Sequence, residues 1–249
     1  MKISIVTVCY NSAATIRDTL ESVLSQTYDN IEYIVVDGAS KDSTLDIVNE
    51  YAGKIARLIS EPDKGIYDAM NKGVNIATGD FIGILNSDDI FANPDTVESL
   101  VTFLRANPDC DASYADLVFV ERTDTTVVTR KYSSKSFSSW KIRFGFMVPH
   151  PTFYARKQLF TDYGVYKLGY RVSADFELMT RFITRKITLL RHDAVMVKMR
   201  EGGISTTGFW WKIHQNLEIV RACKENGIYT NIFMVAMKIP FKLASYIFK

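Results

Sequence analysis

The first hundred residues alternate between two hydrophobic periods, and this alternation restricts the fold more than any other feature of the chain. Residues 3–8, "ISIVTV", form a continuous apolar, β-branched run suited to a strand buried on both faces. Ile16, Leu20, Val23 and Leu24 then recur at helical spacing, with Asn11 or Ser12 as candidate N-cap. The pattern repeats. A strand at 32–36 stops at Asp37, "DGASKDST" turns, and Leu45, Val48 and Ala52 mark a helix face. A strand at 55–60 is followed by the stripe Ile66, Met70, Val74 and Ala77, read as core. A strand at 81–85 is followed by a helix opening at Asn93-Pro94, with Pro94 at the first helical position and Val97, Leu100, Val101 and Leu104 inward.

Such β-α alternation implies an α/β fold with a parallel sheet and helices on both faces. Ligands of open α/β sheets bind beyond the carboxyl ends of the strands. Asp37 and "NSDD" at 86–89 both lie at such ends, so they can share one crevice although 49 or more residues separate them. The second half is less regular. Strands are expected at 112–120, 126–132 and 187–197, a helix at 174–185, and helix again to about residue 226. No internal repeat, low-complexity tract or clean linker interrupts the chain, which reads as one compact domain with a C-terminal extension.

Composition excludes several classes. With 47% hydrophobic and 23% charged residues the chain is not of disordered type. Cys9, Cys110 and Cys223 form no CxxC pair or disulfide framework and suit a reducing cytoplasm. Met1-Lys2 runs directly into a strand, so no signal peptide is expected. No uncharged apolar run reaches the ~18–20 residues that span a bilayer. The net charge of +2 hides an asymmetry: residues 1–100 hold 7 basic against 16 acidic side chains, residues 101–249 hold 23 against 12. This suits a metal site in front and a phosphate or anionic-membrane surface behind, rather than nucleic acid; solubility alone is the plainer reading.

The acids then need partners. "ILNSDD" places Asp88 and Asp89 side by side, which demands a cation or solvent. Hard oxygens at a strand end suit Mg²⁺ or Mn²⁺ shared with a substrate phosphate, while "NSDD" is also good turn chemistry. Asp37 could receive a ribose hydroxyl or a base N–H, or simply cap the turn before Ser40. No G-x-G-x-x-G follows the first strand and no P-loop occurs, so NAD-binding and ATP-hydrolysis readings lose their main support. "SEPDKGIYDAMNKG" at 60–73 puts Asp63 and Lys64 in a loop before a helix N-terminus, a place that favours phosphate. Asp175 and Glu177, two apart on a helix, point about 160–200° away from each other and cannot both face one site. His150, between prolines, reads as a hydrogen-bonded structural group. Gly202-Gly203 is a turn or a ligand-closing lid, with Arg200 as a candidate phosphate partner.

Taken together, "SIVTVCYNSAATIRDTLESVLSQTYDNIEYIVVDGASKDST", "SEPDKGIYDAMNKG", "GDFIGILNSDD", "HPTFYARK", "ADFEL" and "GGIST" resemble the family 2 glycosyltransferases over roughly residues 1–210. The resemblance implies the GT-A fold, a Rossmann-like, mostly parallel sheet flanked by helices. It implies a catalytic domain at 1–210, with a nucleotide-sugar half at 1–110 and an acceptor half at 111–210, and a helical extension at 211–249. It also implies roles. Asp37 would bind the uracil or ribose of a UDP-sugar, with Ser40 and Asp42 shaping its turn, and Asp63 and Lys64 would lie near the uridine and phosphates. The family's D-x-D falls on Asn86-Ser87-Asp88. Asp88 would ligate Mn²⁺ or Mg²⁺ on the donor diphosphate, and Asp89 would order the turn. Asp175 would be the general base of an inverting transfer.

Two positions depart from the family pattern. Asn86 replaces the first D-x-D acid and brings no charge to a metal. Ala174 replaces the Glu before the base, leaving Asp175 alone, with Glu177 a weaker substitute. Within the family the chain is similar to bacterial enzymes that build O-antigen, capsule or exopolysaccharide repeat units on undecaprenyl diphosphate. That likeness implies glucose or galactose as the sugar, a β1,3 linkage and a lipid-linked acceptor at the inner membrane face. "NIFMVAMKIPFKLASYIFK" at 231–249, with three lysines and no acid, is expected to lie at a membrane surface or to pack on the core. The rival expectations are a nucleotide-sugar-binding protein without transfer and a membrane-associated scaffold.

Overall fold

The computed structural model describes residues 1–202 and 209–238, with the backbone alone at 209 and 210. β1 (Ile3–Cys9), β2 (Ile31–Asp37), β3 (Arg57–Ser60) and β4 (Phe81–Ile84) pair in parallel in the order β3-β2-β1-β4. α1 (Ile16–Leu24), α2 (Thr44–Asn49) and α3 (Ile66–Ile76) connect them. The expected α/β alternation therefore holds through this half.

Past β4 the chain continues through β5 (Asp89–Phe91), α4 (Thr96–Ala106), β6 (Ala112–Val120), β7 (Val128–Tyr132) and β8 (Tyr154–Arg156). It then forms α5 (Lys157–Tyr163), α6 (Ala174–Thr184), β9 (Leu189–Arg200), α7 (Phe209–Glu225) and α8 (Ile232–Ala236). The sheet extends as β4-β8-β6-β9-β5, with β7 on β6, and here only β6–β9 is parallel. Parallel pairing is thus continuous only in the front half, and the expected mostly parallel sheet is mixed beyond β4. Its antiparallel pairs need no helical crossover, whereas the parallel β6–β9 pair is reached through α5 and α6.

Four local expectations are corrected. The helix expected to open at Pro94 starts at Thr96 with Asp95 at its cap, so Pro94 precedes it. Ala52 is exposed in a 3-10 turn after α2. Ile66 is 46% exposed, and its neighbour Tyr67, 9% exposed, takes the inward place on α3. β5 is a strand where only a turn was expected, recruited by pairing with β9.

Side chains alternate across the parallel strands, so each strand feeds two cores. Ile3 and Ile5 join Ile16, Leu20 and Val23 of α1 and Val97, Leu100 and Leu104 of α4. Val6 and Val8 face Met70 and Val74 of α3, in a core that also takes Phe176, Met179 and Phe182 of α6, Ile219 and Cys223 of α7 and Val235 of α8. α3 lies close on β1 because Gly73 has no side chain; a Cβ there would stand 2.3 Å from Val6 Cγ1.

The amino-terminal edge of the sheet is tied by Glu32, whose side chain is 5% exposed. Its carboxylate accepts from Ser4 Oγ (2.5 Å), Thr78 N–H (2.6 Å), Thr78 Oγ1 (2.7 Å) and Lys2 Nζ (3.1 Å). Burial alone would raise this carboxyl, but the bonds from Ser4, Thr78 and Lys2 outweigh it and hold it at about 2. A depressed carboxyl stabilises the fold above its unfolded value of 4.5 and loses that contribution as pH falls toward about 2. Urea unfolding at stepped pH should therefore show wild-type stability falling through this window. Glu32→Gln should be roughly 2 kcal/mol less stable at pH 7 and flatter in acid. Equal acid sensitivity of both proteins would remove Glu32 from this account.

Candidate active site

Parallel register sets Cys9 beside Asp37 and Asp37 beside Ser60, all at strand carboxyl ends. Asp37 is fully buried and its carboxylate is satisfied by the chain. It accepts from Ser40 N–H (3.2 Å), Ser40 Oγ and Ser60 Oγ (2.7 Å), with the Cys9 thiol at 3.8 Å. Burial and the Asp37 charge in turn push the Cys9 thiol far up. Asp63 stands directly over this turn: a Cβ on Gly38 would meet its Oδ2 at 2.3 Å. Asp63 also accepts from Gly65 N–H (2.8 Å), where a φ of +114° suits glycine and opens α3. Lys64 is exposed, and its N–H is held by Asp68 at 2.9 Å.

The loop after β1 joins this turn to the "NSDD" turn. Asn11 N–H donates to Ser40 Oγ (2.9 Å), Ser12 N–H to Thr44 Oγ1 (2.7 Å) and Ala13 N–H to Asp42 (3.2 Å). Ser12 Oγ meets Ser87 Oγ at 2.8 Å. Asp37, Ser40, Asp42, Asp63, Asn86, Asp88 and Asp89 thus belong to one continuous edge, as strand-end geometry anticipates.

Asp89 is fully buried, its N–H bonded to Asn86 O (3.1 Å) and its Oδ2 reached by Asn86 Nδ2 (3.3 Å). Burial, then the charge of Asp88, holds its carboxyl well above the usual range. Asp88, partly buried, is also raised by burial, against the opposing pull of Arg200 and Arg122. Arg200 is itself 5% exposed and committed. It donates to Asp88 O (2.9 Å) and Arg122 O (3.2 Å) and pairs with Asp18 of α1. The expectation that Arg200 contacts a phosphate is therefore corrected: burial and three partners make it a brace behind the Asp88 turn. Gly203 and the rest of the expected lid lie outside the described residues.

Two oxygens at this turn, Asn86 Oδ1 and Asp89 Oδ1, are buried and without a hydrogen-bond partner. Such orphans are costly unless something fills the gap. They sit in the same turn as the Asp88 carboxylate, and hard oxygens of this kind are the donor type that a divalent cation takes. No three His, Cys, Asp or Glu side chains gather among the described residues. A cation here would draw further ligands from a substrate diphosphate, as Mg²⁺ and Mn²⁺ commonly do.

Asp175 comes from the first turn of α6, and α3 reaches it. Tyr67 Oη donates to Val172 O (2.6 Å) and lies 3.3 Å from Asp175 Oδ1. One turn on, Asn71 exchanges two hydrogen bonds with the backbone of Tyr166 (2.8 and 2.9 Å), whose ring stacks on Tyr67. Tyr166 Oη meets His150 Nε2 at 2.9 Å. Desolvation lowers the imidazole below its ordinary value against the pull of Asp175, so His150 is the hydrogen-bonded structural group expected. Asp175 opens onto a cavity of about 170 Å³, lined by Phe176 and Met179 of α6, Gln215 and Ile219 of α7, and Phe146 and Met147. A larger, shallow groove of about 530 Å³ beside His192 contains none of these groups.

Glu177 points the other way, as its spacing requires. It is fully buried and held by Arg181 (2.9 Å), Lys167 (2.8 Å) and Asn226 (3.2 Å). This ion-pair network takes both its oxygens, so it cannot stand in for the base. Sequence reasoning missed Arg200 with Asp18, 182 residues apart, because no local signal joins them. It also missed Glu218, whose carboxylate binds the backbone just ahead of Asp175.

The glycosyl transferase family 2 model matches residues 4–164. The chain belongs to that family. It is accordingly a glycosyltransferase, which sets aside the binding-protein and scaffold expectations. It is 32% identical over 209 residues to a PGL/p-HBAD biosynthesis glycosyltransferase of Mycobacterium bovis, covering 82% of this chain and 79% of the relative. An uncharacterized glycosyltransferase of Haemophilus influenzae is 23% identical over 95% of this chain and 77% of its own length. Two solved structures share the fold at TM-score 0.68. S. aureus TarS in complex with UDP-GlcNAc is 20% identical over 89% of this chain. The mannosyltransferase PcManGT of Pyrobaculum calidifontis, in complex with GDP-Man and Mn²⁺, is 21% identical over 90%. This glycosyltransferase spans 66% and 63% of those two chains. The expected GT-A-type α/β architecture is thereby borne out.

The two acids of α6 make opposite predictions. Glu177→Ala leaves the buried Arg181 without its counter-charge and should cost about 3–5 kcal/mol of stability. Asp175→Asn, on a half-buried carboxylate outside that network, should change stability by less than about 1 kcal/mol. Thermal unfolding of the two variants checks this ordering; a larger loss at Asp175 would reverse it.

Proposed function

We propose that this enzyme transfers a hexose, glucose or galactose, from a UDP-sugar to a sugar on a lipid diphosphate, with inversion and a β1,3 linkage. The product would serve cell-surface polysaccharide assembly of the O-antigen, capsule or exopolysaccharide kind. The observation that carries the reading is convergence. Asp37, Asp63 and the 86–89 turn share one strand edge, and α3 links that edge to Asp175 through Tyr67.

In this reading the Asp37–Ser40 turn with Asp63 and Lys64 receives the uridine and phosphates. Asp88, with the orphaned Asn86 oxygen beside it, would hold Mn²⁺ or Mg²⁺, and Asp89 and Arg200 would keep that turn in shape. The cation would supply charge stabilisation to the leaving diphosphate. Asp175 takes the proton from the acceptor hydroxyl as its oxygen bonds to the anomeric carbon and the bond to the diphosphate oxygen breaks. UDP-GlcNAc in TarS and GDP-Man with Mn²⁺ in PcManGT support a nucleotide-sugar donor and a divalent cation.

The acceptor side rests on different features. No helix among the described residues is long and apolar enough to cross a membrane. Trp140, Tyr229, Phe233 and Met237 are more than half exposed, and Lys141, Arg143 and Lys224 lie within five residues of Trp140 or Tyr229 in the sequence. Aromatic and basic side chains of this kind favour the surface of an anionic bilayer, which would set the enzyme on the inner membrane face. Of the 231–249 segment, residues 239–249 lie outside the described residues.

A donor screen tests the proposal. Purified enzyme, Mn²⁺ and a GlcNAc- or GalNAc-diphospholipid are offered UDP-glucose, UDP-galactose, UDP-GlcNAc and UDP-GalNAc in turn, with product read by mass. One hexose donor should react. Asp88→Asn and Asp175→Asn should each lose at least about 10²-fold in turnover, with UDP binding retained by the Asp175 variant. Chelation should abolish the reaction and added Mn²⁺ restore it. Silence with UDP–Mn²⁺ binding intact would reject the acceptor; no UDP binding would reject the donor class.

A further inference from the structure

Three consecutive backbone amides ahead of α6 converge on one side chain from another helix. The N–H groups of Arg171, Val172 and Ser173 donate to the Glu218 carboxylate at 2.7, 2.9 and 2.9 Å. Ser173 is the N-cap of α6, yet its own side chain makes no capping bond. Glu218 therefore fills an amide concavity that a helix start usually satisfies with its cap or with an anion. Bonds of this kind to an ionised carboxylate are roughly twice as strong as neutral ones.

The same turn is gripped from its opposite side. Tyr67 Oη donates to Val172 O at 2.6 Å and approaches Asp175 Oδ1 at 3.3 Å. Val172 is thus held through its N–H by α7 and through its C=O by α3. Asp175 follows three residues later, where the 170 Å³ cavity begins. Gln215 and Ile219, flanking Glu218 along α7, line that cavity. One helix both closes the cavity and fixes the turn that aims the acid into it.

We propose that Glu218 is a positioning residue for Asp175, holding the 171–175 turn so that the carboxylate meets an acceptor hydroxyl in the cavity. This rests on the reading of Asp175 as the base. Glu218 lies beyond residue 164, where the family match ends. It makes α7 part of the reaction machinery rather than of a separate extension.

Glu225 provides an internal control. It sits seven residues further along α7 and ties that helix to the 167–170 loop through Lys167 (2.9 Å) and Tyr170 (3.0 Å), while pairing within the helix with Arg221 (2.6 Å). It donates nothing to and accepts nothing from residues 171–175. The experiment compares Glu218→Ala, Glu218→Gln, Glu225→Gln and Asp175→Asn, all as the full chain, by steady-state turnover of the UDP-sugar and diphospholipid found active in the donor screen. Hydrogen exchange at amides 171–176 is followed in parallel and needs no substrate.

Glu218→Ala should lose about 10²-fold in kcat with donor KM unchanged, the size expected for misplacing a reacting group by about 1 Å. Glu218→Gln keeps one acceptor oxygen at the same length and should fall between Glu218→Ala and wild type. Glu225→Gln should stay within about threefold of wild type. The 171–173 amides should exchange fastest in Glu218→Ala, at an intermediate rate in Glu218→Gln and as in wild type in Glu225→Gln. Unchanged protection of those amides overturns the proposal whatever the kinetics, as does a kcat loss matched by Glu225→Gln or one that falls on donor KM instead. Full turnover by Asp175→Asn would instead sink the base reading beneath it. A dead Asp175→Asn beside a fully active Glu218→Ala would remove the positioning role alone.

Discussion

Register between parallel strands governs the whole carboxyl edge of β1, β2 and β3. Because Cys9 lies opposite Asp37 and Asp37 opposite Ser60, three loops far apart in sequence leave the sheet at the same height. Each loop then closes on its neighbour: Asn11 on Ser40, Ser12 on Ser87, and Asp63 over Gly38. A slip of one residue would turn every strand side chain to the opposite core and dissolve this meeting point. Strength at the other edge makes that slip costly, since Glu32 fastens β1, β2 and the turn before β4 in one buried knot.

The site concentrates buried negative charge and answers it unevenly. Asp37 is satisfied by hydroxyls and an amide of its own loops, so it is built into the turn. Glu177 is neutralised by Arg181 and Lys167, which makes it part of the scaffold. At Asp88 and Asp89 the compensation is partial. Arg200 braces the turn through a backbone oxygen, and two buried oxygens keep no partner. Unequal compensation of this kind separates acids that hold a fold from acids poised for a ligand.

The surroundings of Asp175 depend on elements from both halves of the chain. α3 carries Tyr67 and Asn71 from the loop at Asp63 to Tyr166 and Asp175, while α7 contributes the cavity wall and the Glu218 contact. Both helices pack on the same face of the sheet, in the core that joins Val6 and Val8 to Phe176 and Ile219. Packing on that face is what lets a residue at 218 act on a turn at 172.

Much of this was legible in the chain as written. The β-α alternation through residue 106, the strand-end position of Asp37 and of 86–89, and the opposed directions of Asp175 and Glu177 all follow from local periodicity. Such features depend on spacing along a single element, which a sequence displays directly. The mixed pairing beyond β4, the strand at Asp89–Phe91, the outward turn of Ile66 and the burial of Arg200 do not. They depend on which surface a segment meets, and that surface is assembled from distant residues. Sequence alone therefore determined which elements form and which acids stand at their ends. Tertiary structure decided which of those acids are neutralised and which stay open, because a buried charge takes its character from partners that only folding brings within a hydrogen bond.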